Sequence, residues 1–220
     1  MKTQTKFMFI AFFGYLFLGV AIYEVSHNRL PLTMTFNLIL SLVSFVLSQY
    51  LFHHKEEKIT IFVILSFLLF VLFLPNNFYM ITDLIHINSA DFYYYQGSLR
   101  VYYKTLIPWI TLFHLAGGVI LAASLGATAL SKVQKFIAYK KDAVLGHLVT
   151  FSISILCGYG VYLGRFIRLN SWDILKPDFI FIQLVVSLTW FGFFFSVFMG
   201  LVIYVLFWVF YLFKTEEVFD

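Results

Sequence analysis

Residues 59–81 read ITIFVILSFLLFVLFLPNNFYMI, an uninterrupted stretch without a charged side chain. A helix needs about 20 mainly apolar residues to cross the hydrocarbon core of a bilayer, and this stretch meets that length. It is therefore predicted to be a transmembrane helix. Pro75, near its end, has no backbone N–H and favours a kinked or broken helix at that point.

Apolar stretches of similar length on both sides of this one predict an all-α bundle of six transmembrane helices in a single domain. The predicted spans cover residues 7–23, 30–52, 59–81, 106–130, 143–163 and 187–213. The last span belongs to a longer apolar run, residues 179–213, which is too long for one crossing and too short for two. We therefore expect residues 171–186 to form an interfacial segment.

A second interfacial segment is expected at residues 87–104, where a tyrosine-rich stretch includes Arg100 and Lys104. Aromatic and basic side chains favour the head-group level of a membrane. The segment is interpreted either as a simple anchor or as a lip over an outer cavity.

The composition excludes an ordinary soluble domain. Of the 220 residues, 61% are apolar and 12% are charged, whereas soluble domains have about half and about a quarter. Membrane lipid is the predicted partner. Nucleic acid is not a predicted partner, because the net charge of +4 is divided between the two membrane sides. The first apolar stretch is expected to be an anchor, since no small-residue cleavage site follows it.

Basic residues are distributed unequally between the predicted loops. Placing both termini in the cytoplasm puts nine inside and six outside, in agreement with the positive-inside rule. The inside residues are Lys2, Lys6, Lys55, Lys58, Lys132, Lys135, Lys140, Lys141 and Lys214. The outside residues are Arg29, Arg100, Lys104, Arg165, Arg168 and Lys176. Every arginine is outside, and because guanidinium pairs bidentately with carboxylate or phosphate, the outer face is the predicted location of a site.

Four polar residues follow Leu74 at helical spacing. They are Asn76, Tyr79, Asp83 and His86. Steps of three and four residues place them on one helix face, and polar groups at membrane depth turn toward the bundle or a wet cavity. Asp83 and His86 are the candidate catalytic residues, as an acid/base couple. A metal site is not predicted, because a third ligand would have to come from elsewhere without a spacing motif.

The fifth span ends with a second group of polar residues. Gly160 and Gly164 form a small-residue face that admits another helix closely. Arg165 and Arg168 are one helical turn apart, so both guanidinium groups are expected to converge on one anion. The alternative is an ion-pair network with Asp83, Asp173 or lipid phosphate that only holds helices together, and Asp91 is a further acidic residue available in the sequence.

His114 is the candidate contributed by the fourth span. It lies on the same helical row as Gly118, Ala122 and Gly126. Rows of small residues favour close helix packing, so His114 is predicted to point inward.

The sequences LPNNFYMITDLIH at residues 74–86 and YLGRFIRLNSWD at residues 162–173 resemble the domain-of-unknown-function family 1361. The resemblance covers most of the region from the third to the sixth predicted helix. It implies a multi-pass protein of the bacterial cytoplasmic membrane without an assigned activity.

These observations predict a polar pocket at the outer membrane face. Its expected lining is Asn76, Tyr79, Asp83, His86, His114, Arg165, Arg168, Asn170 and Asp173. The leading hypothesis is binding of an amphiphile with an anionic head group, such as a phospholipid or polyprenyl phosphate. Whether Asp83 and His86 also modify it is left open, and no cofactor is identified.

Two other functions are compatible with the sequence. One is a structural or regulatory subunit of a homo- or hetero-oligomer, in which the charged cluster only pairs helices. The other is a small-solute transporter, which is poorly supported because the polar residues crowd one membrane face and no inverted repeat is visible.

Overall fold

The computed structural model describes the backbone of residues 3–216 and the side chains of residues 10–212. The helices are α1 (Thr3–Ser26), α2 (Leu30–His53), α3 (Ile61–Phe73), α4 (Pro75–Thr82), α5 (Leu106–Lys140), α6 (Ala143–Tyr162), α7 (Pro177–Ser187) and α8 (Trp190–Glu216). Helix accounts for 83% of the residues, so the predicted all-α class is confirmed. Lys2, which was counted for the topology, lies outside the described residues, as do residues 217–220.

Among the described residues, five helical segments are long and apolar enough to cross a membrane. They are Leu30–His53, Ile61–His86, Leu106–Lys140, Ala143–Ile167 and Trp190–Leu212. The apolar part of α1 whose side chains are described, Ile10–Ser26, is shorter. A multi-pass membrane architecture is therefore present, with each of the five segments overlapping a predicted span.

The helix break predicted at Pro75 is present. Helix α3 ends at Phe73 and α4 begins at Pro75 itself, the first helical position, where the missing N–H of proline is tolerated. The amide of Asn76 donates to Phe73 O at 2.9 Å. A side chain therefore satisfies one of the backbone carbonyls exposed at the break.

Helix α5 is longer than its predicted span of residues 106–130. It contains 35 residues, or about 52 Å of helix, against a hydrocarbon core of about 30 Å. Beyond Leu130 the buried residues Val133, Gln134 and Phe136 alternate with lysines, so an amphipathic extension continues the apolar helix. Lys132 and Lys135, which were predicted to lie in a loop, therefore belong to this helix.

Residues 87–104 contain a β-hairpin that the sequence did not indicate. Strands β1 (Tyr93–Gln96) and β2 (Leu99–Tyr102) pair antiparallel, with Tyr93 opposite Tyr102. The turn uses Gly97 at φ +63°, a conformation that glycine adopts without strain. The Arg100 guanidinium lies 4.4 Å from the ring centre of Tyr93.

The long apolar run at residues 179–213 was predicted to be divided into an interfacial segment and a spanning helix. The structure has two helices there. Helix α7 has 11 residues, about 16 Å, which is too short to cross a bilayer. Leu188 leaves the helical conformation at ψ 74°, and α8 begins two residues later. The membrane-spanning helix thus starts at Trp190, three residues after the predicted start of the sixth span.

The chain divides into two compact units. Within the described residues, the first comprises the chain up to Ile39 together with Met80–Leu121, and the second comprises Leu40–Tyr79 together with the chain from Ala122 onward. Buried apolar side chains of the first unit include Tyr15, Met34, Leu38, Met80 and Leu115. Those of the second include Phe70, Leu74, Phe78, Leu130, Val133, Ile203 and Phe207. In both units many large apolar side chains remain exposed, as expected for helix faces that contact lipid.

Helices α6 and α8 of the second unit pack at backbone distance. A Cβ atom added to Gly158 would overlap Ser196 O and Gly200 N, and one added to Gly200 would lie 2.7 Å from Ile155 Cα. Apolar side chains gain little by leaving lipid for a protein interior, so such packing is a main source of helix association in membranes.

Replacing Gly158 by alanine is predicted to destabilise the protein. The new Cβ would meet backbone atoms, which cannot rotate away, so separating α6 from α8 costs about 1–3 kcal/mol. Gly117→Ala is the matched control, because nothing lies within 4 Å of its added Cβ. Thermal unfolding in one detergent compares them; equal midpoints for the two variants would contradict the close packing.

Candidate functional site

The predicted site residues are divided between the two units. Asp83, His86 and His114 belong to the first unit. Asn76, Tyr79, Arg165, Arg168, Asn170 and Asp173 belong to the second. The joint pocket stays a prediction.

Asp83 is a buried carboxyl group of the first unit. It begins a 3₁₀ turn, Asp83–His86, directly after α4, and its side chain is only 3% exposed. The amide of Asn37 on α2 donates to its Oδ2 at 3.3 Å. A buried carboxyl group requires such partners, because an unpaired one would be costly at this depth.

His114 is buried on α5, which confirms that it points inward. Its side chain is 3% exposed, and its ring stacks on Tyr15 of α1 with centroids 4.0 Å apart. Its Nε2 lies 3.4 Å from Tyr15 O. Gly118, one turn further along α5, leaves the space that the Tyr15 hydroxyl occupies.

The Tyr15 hydroxyl is a member of this cluster that sequence reasoning missed. It is buried and has no hydrogen-bond partner among the described residues. One of fourteen tyrosines in the chain, it carries no local signal that separates it from residues that anchor helices at the interface. Its position becomes evident only through the stacking on His114.

His86 and Asp83, the predicted acid/base couple, differ in their surroundings. His86 is exposed and Asp83 is buried, and no hydrogen bond joins them among the described residues. His86 instead lines a cleft of about 230 Å³. The catalytic roles of the two residues stay predictions, and the described residues contain no group of three or more His, Cys, Asp or Glu arranged to hold a metal ion.

In the second unit, Asn76 and Tyr79 of α4 contact the end of α6 and the segment after it. Asn76 Nδ2 lies 3.3 Å from Ser171 Oγ. The Tyr79 ring packs against Gly164, where an added Cβ would be 3.1 Å from Cε2. The Arg165 guanidinium lies 4.4 Å from the centre of the same ring, which is cation–π geometry.

Arg165 and Arg168 do not follow one another along an α-helix, contrary to prediction. After Tyr162 the helix widens into a π-turn, Leu163–Ile167, and Arg168 adopts the left-handed conformation at φ 62° and ψ 32°. The N–H of Arg168 and that of Leu169 both donate to Leu163 O. The spacing of three residues therefore did not translate into one helix face.

Asn170 and Asp173 form a local capping box. Asp173 Oδ2 accepts from Asn170 N at 2.9 Å and from Asn170 Nδ2 at 3.3 Å, and Lys176 Nζ lies 3.6 Å from Oδ1. The pKa of Asp173 lies below its usual value, mainly because its carboxylate accepts the hydrogen bond from the Asn170 backbone N–H. This carboxylate thus organises the 3₁₀ turn Ser171–Leu175.

Asn77 is a further polar residue that was not singled out. It is fully buried, accepts from Ser44 Oγ at 2.5 Å, and donates to Ser41 O and Ala122 O. An asparagine within an apolar span was the available signal. Its contacts tie α4 to α2 and α5 within the second unit.

Several helices of membrane-spanning length, apolar side chains on the exposed helix faces and buried polar clusters define a multi-pass integral membrane protein. The chain belongs to the family described as protein of unknown function (DUF1361), whose model matches residues 36–206. Both sequence motifs fall inside that range. No curated protein and no solved structure matches the chain.

The turn closed by Asp173 is predicted to loosen in acid. Because the folded-state pKa is lowered, the carboxylate contributes stability above the unfolded value of about 3.9 and loses it as the pH falls through the folded value. A fluorine label on Trp172 should therefore shift as the pH drops below about 4. Asp173→Asn should remove that pH dependence; an unchanged titration in this variant would show that another group is responsible.

Proposed function

We propose that this membrane protein binds the anionic head group of an amphiphile, such as a phospholipid or polyprenyl phosphate, through Arg165 and Arg168. Both arginines belong to the second unit. The ligand's apolar chains would lie along the exposed apolar side chains that follow in the sequence.

The left-handed conformation of Arg168 is the observation that carries this proposal. A residue with a side chain costs roughly 1–2 kcal/mol in this region, and glycine is the usual choice at such helix ends. The Arg168 side chain is exposed and has no hydrogen-bond or ion-pair partner in the part of the chain that the structure describes. A strained position with an arginine that stabilises nothing locally suggests a functional requirement.

Arg165 supports the same interpretation. Its guanidinium lies 4.4 Å from the centre of the Tyr79 ring, a cation–π contact that restricts where the group can move. Planar, oriented guanidinium groups bind phosphate and carboxylate in bidentate fashion.

The surroundings favour an amphiphile over a free anion. Phe166, Trp172, Leu175 and Phe179 are all exposed apolar residues of the second unit. They flank the two arginines in the sequence. In a membrane, such side chains contact acyl chains while the arginines remain at head-group level.

The proposed topology has six crossings, with both termini in the cytoplasm of a bacterial cell and the arginines at the outer face. Helix α1 has 24 residues, about 36 Å, which is long enough to be the sixth crossing. The tyrosine-rich hairpin and α7 would lie at the outer interface. The inner lysines on α5 and in the adjoining loop agree with the positive-inside rule.

This topology predicts opposite accessibilities for two introduced cysteines. The single native cysteine, Cys157, is buried and can be replaced by serine. A membrane-impermeant maleimide should label Ser98→Cys, in the hairpin turn, on intact cells. Lys141→Cys, between α5 and α6, should react only after permeabilisation. The reverse pattern would move the arginines to the cytoplasmic leaflet.

Arg168→Gly is predicted to raise stability and weaken binding at the same time. Glycine removes the left-handed strain, which stabilises the protein by roughly 1 kcal/mol. Loss of a charge-assisted hydrogen bond lowers affinity for dodecyl phosphate roughly tenfold or more. Native mass spectrometry with dodecyl phosphate, and with dodecanol as the uncharged comparison, measures binding.

Lys104→Ala is the matched control for charge, because it removes one predicted outer cation from the other unit. It should leave dodecyl phosphate binding unchanged. If Arg168→Gly binds dodecyl phosphate as the wild type does, the anion proposal is wrong and a structural role for the arginines remains. If dodecanol binds equally well, the head group is not what is recognised.

A further inference from the structure

The first unit contains a cleft that the proposed function does not use. It lies between the α1–α2 connection, the segment that follows His86, and the first turns of α5, and has a volume of about 230 Å³. Pockets that enclose a drug-sized ligand have about 300–1,000 Å³. The cleft therefore suits one compact chemical group.

Two asparagine side chains at the cleft are oriented by turns. Asn28 Oδ1 accepts from Leu30 N at 2.9 Å, and Asn88 Oδ1 accepts from Ala90 N at 3.0 Å. Because each oxygen is held by a backbone N–H, the position of each NH₂ group is fixed as well. Neither NH₂ group has a partner among the described residues, and both asparagines line the cleft, so two amide donors are available to a ligand there.

The segment 86–91 supplies two strong acceptors to the cleft, beside the hydroxyl groups of Ser26 and Thr111. Asp91 supplies a carboxylate and His86 an imidazole, and none of the lining residues is a lysine or arginine. An anionic ligand would be repelled by Asp91, whereas a cation would leave the amide donors without acceptors. Hydroxyl groups both donate and accept, so a neutral ligand with several hydroxyl groups satisfies both sets.

An aromatic ring completes the lining. Phe92 borders the cleft, and Trp109 packs edge-on against it with ring centroids 5.0 Å apart, which holds the Phe92 ring in place. Together with apolar residues such as Leu112, the Phe92 ring offers a surface for the C–H face of a sugar ring. An apolar wall with a few oriented polar groups is typical of small-ligand sites.

We propose that this cleft binds a single neutral, hydroxyl-rich group, of the glycosyl class. The group can be supplied by a free sugar or by the head of a glycosylated lipid, because both present the same hydroxyl pattern. This site is independent of the anion site at Arg168.

The test uses full-length protein in a polyoxyethylene detergent, which has no sugar head group. Titrations with glucose and with octyl glucoside below its micelle concentration are followed by calorimetry, with octanol as the control for the chain. Saturable binding of glucose supports the proposal with a soluble source, and binding of octyl glucoside alone supports it with a lipid source. Binding of neither, or equal binding of octanol, would overturn it.

Asn28→Asp and Asn88→Asp are the informative variants. Each keeps the Oδ1 acceptor that closes its turn and replaces only the free NH₂ donors, so the fold is preserved while affinity falls roughly tenfold or more. Ser89→Asp is the control, since it adds the same charge to the same turn outside the lining. Thr111→Phe fills the cleft from α5 and should also abolish binding. Unchanged affinity in all three lining variants would rule out the cleft.

Discussion

Within a bilayer, every backbone N–H and C=O group must find its partner inside the protein, because no water is present to supply one. This constraint explains the local structure around Pro75. The proline removes one donor, and the two asparagines that follow it supply others: Asn76 to Phe73 O, and Asn77 to Ser41 O and Ala122 O. The same asparagines fix α4, so the Tyr79 ring is presented to Arg165. The site of the second unit thus depends on how one helix break is repaired.

The helices could largely be predicted from the sequence, because an apolar run of sufficient length has few alternatives to a spanning helix. What could not be predicted depends on contacts beyond the run. The extension of α5 past Leu130 is stabilised by burial of Val133 and Phe136, which counting apolar residues does not detect. The hairpin is built from four-residue strands of tyrosine, glutamine, leucine, arginine and valine, a composition that also suits an interfacial helix or loop.

The candidate site shows the same division. Burial of Asp83 and His114 followed from the cost of exposing polar groups to hydrocarbon. Their partners Asn37 and Tyr15 could not be predicted in this way, because they come from helices distant in sequence. The π-turn at Leu163–Ile167 changes where Arg168 points without any local composition signal. Sequence reasoning therefore identified residues that belong near a site, but assumed a regular helix in arranging them.

The contact of α6 with α8 has a thermodynamic consequence. Folding in water draws on dehydration of apolar surface, which produces a large heat-capacity change and a stability that declines on cooling. The Gly158–Gly200 contact forms between surfaces already separated from water, by van der Waals attraction between closely placed backbones. Its contribution therefore carries little heat-capacity change. The stability of this helix pair should therefore change almost linearly with temperature, without the loss on cooling that dehydration of apolar surface causes in soluble proteins.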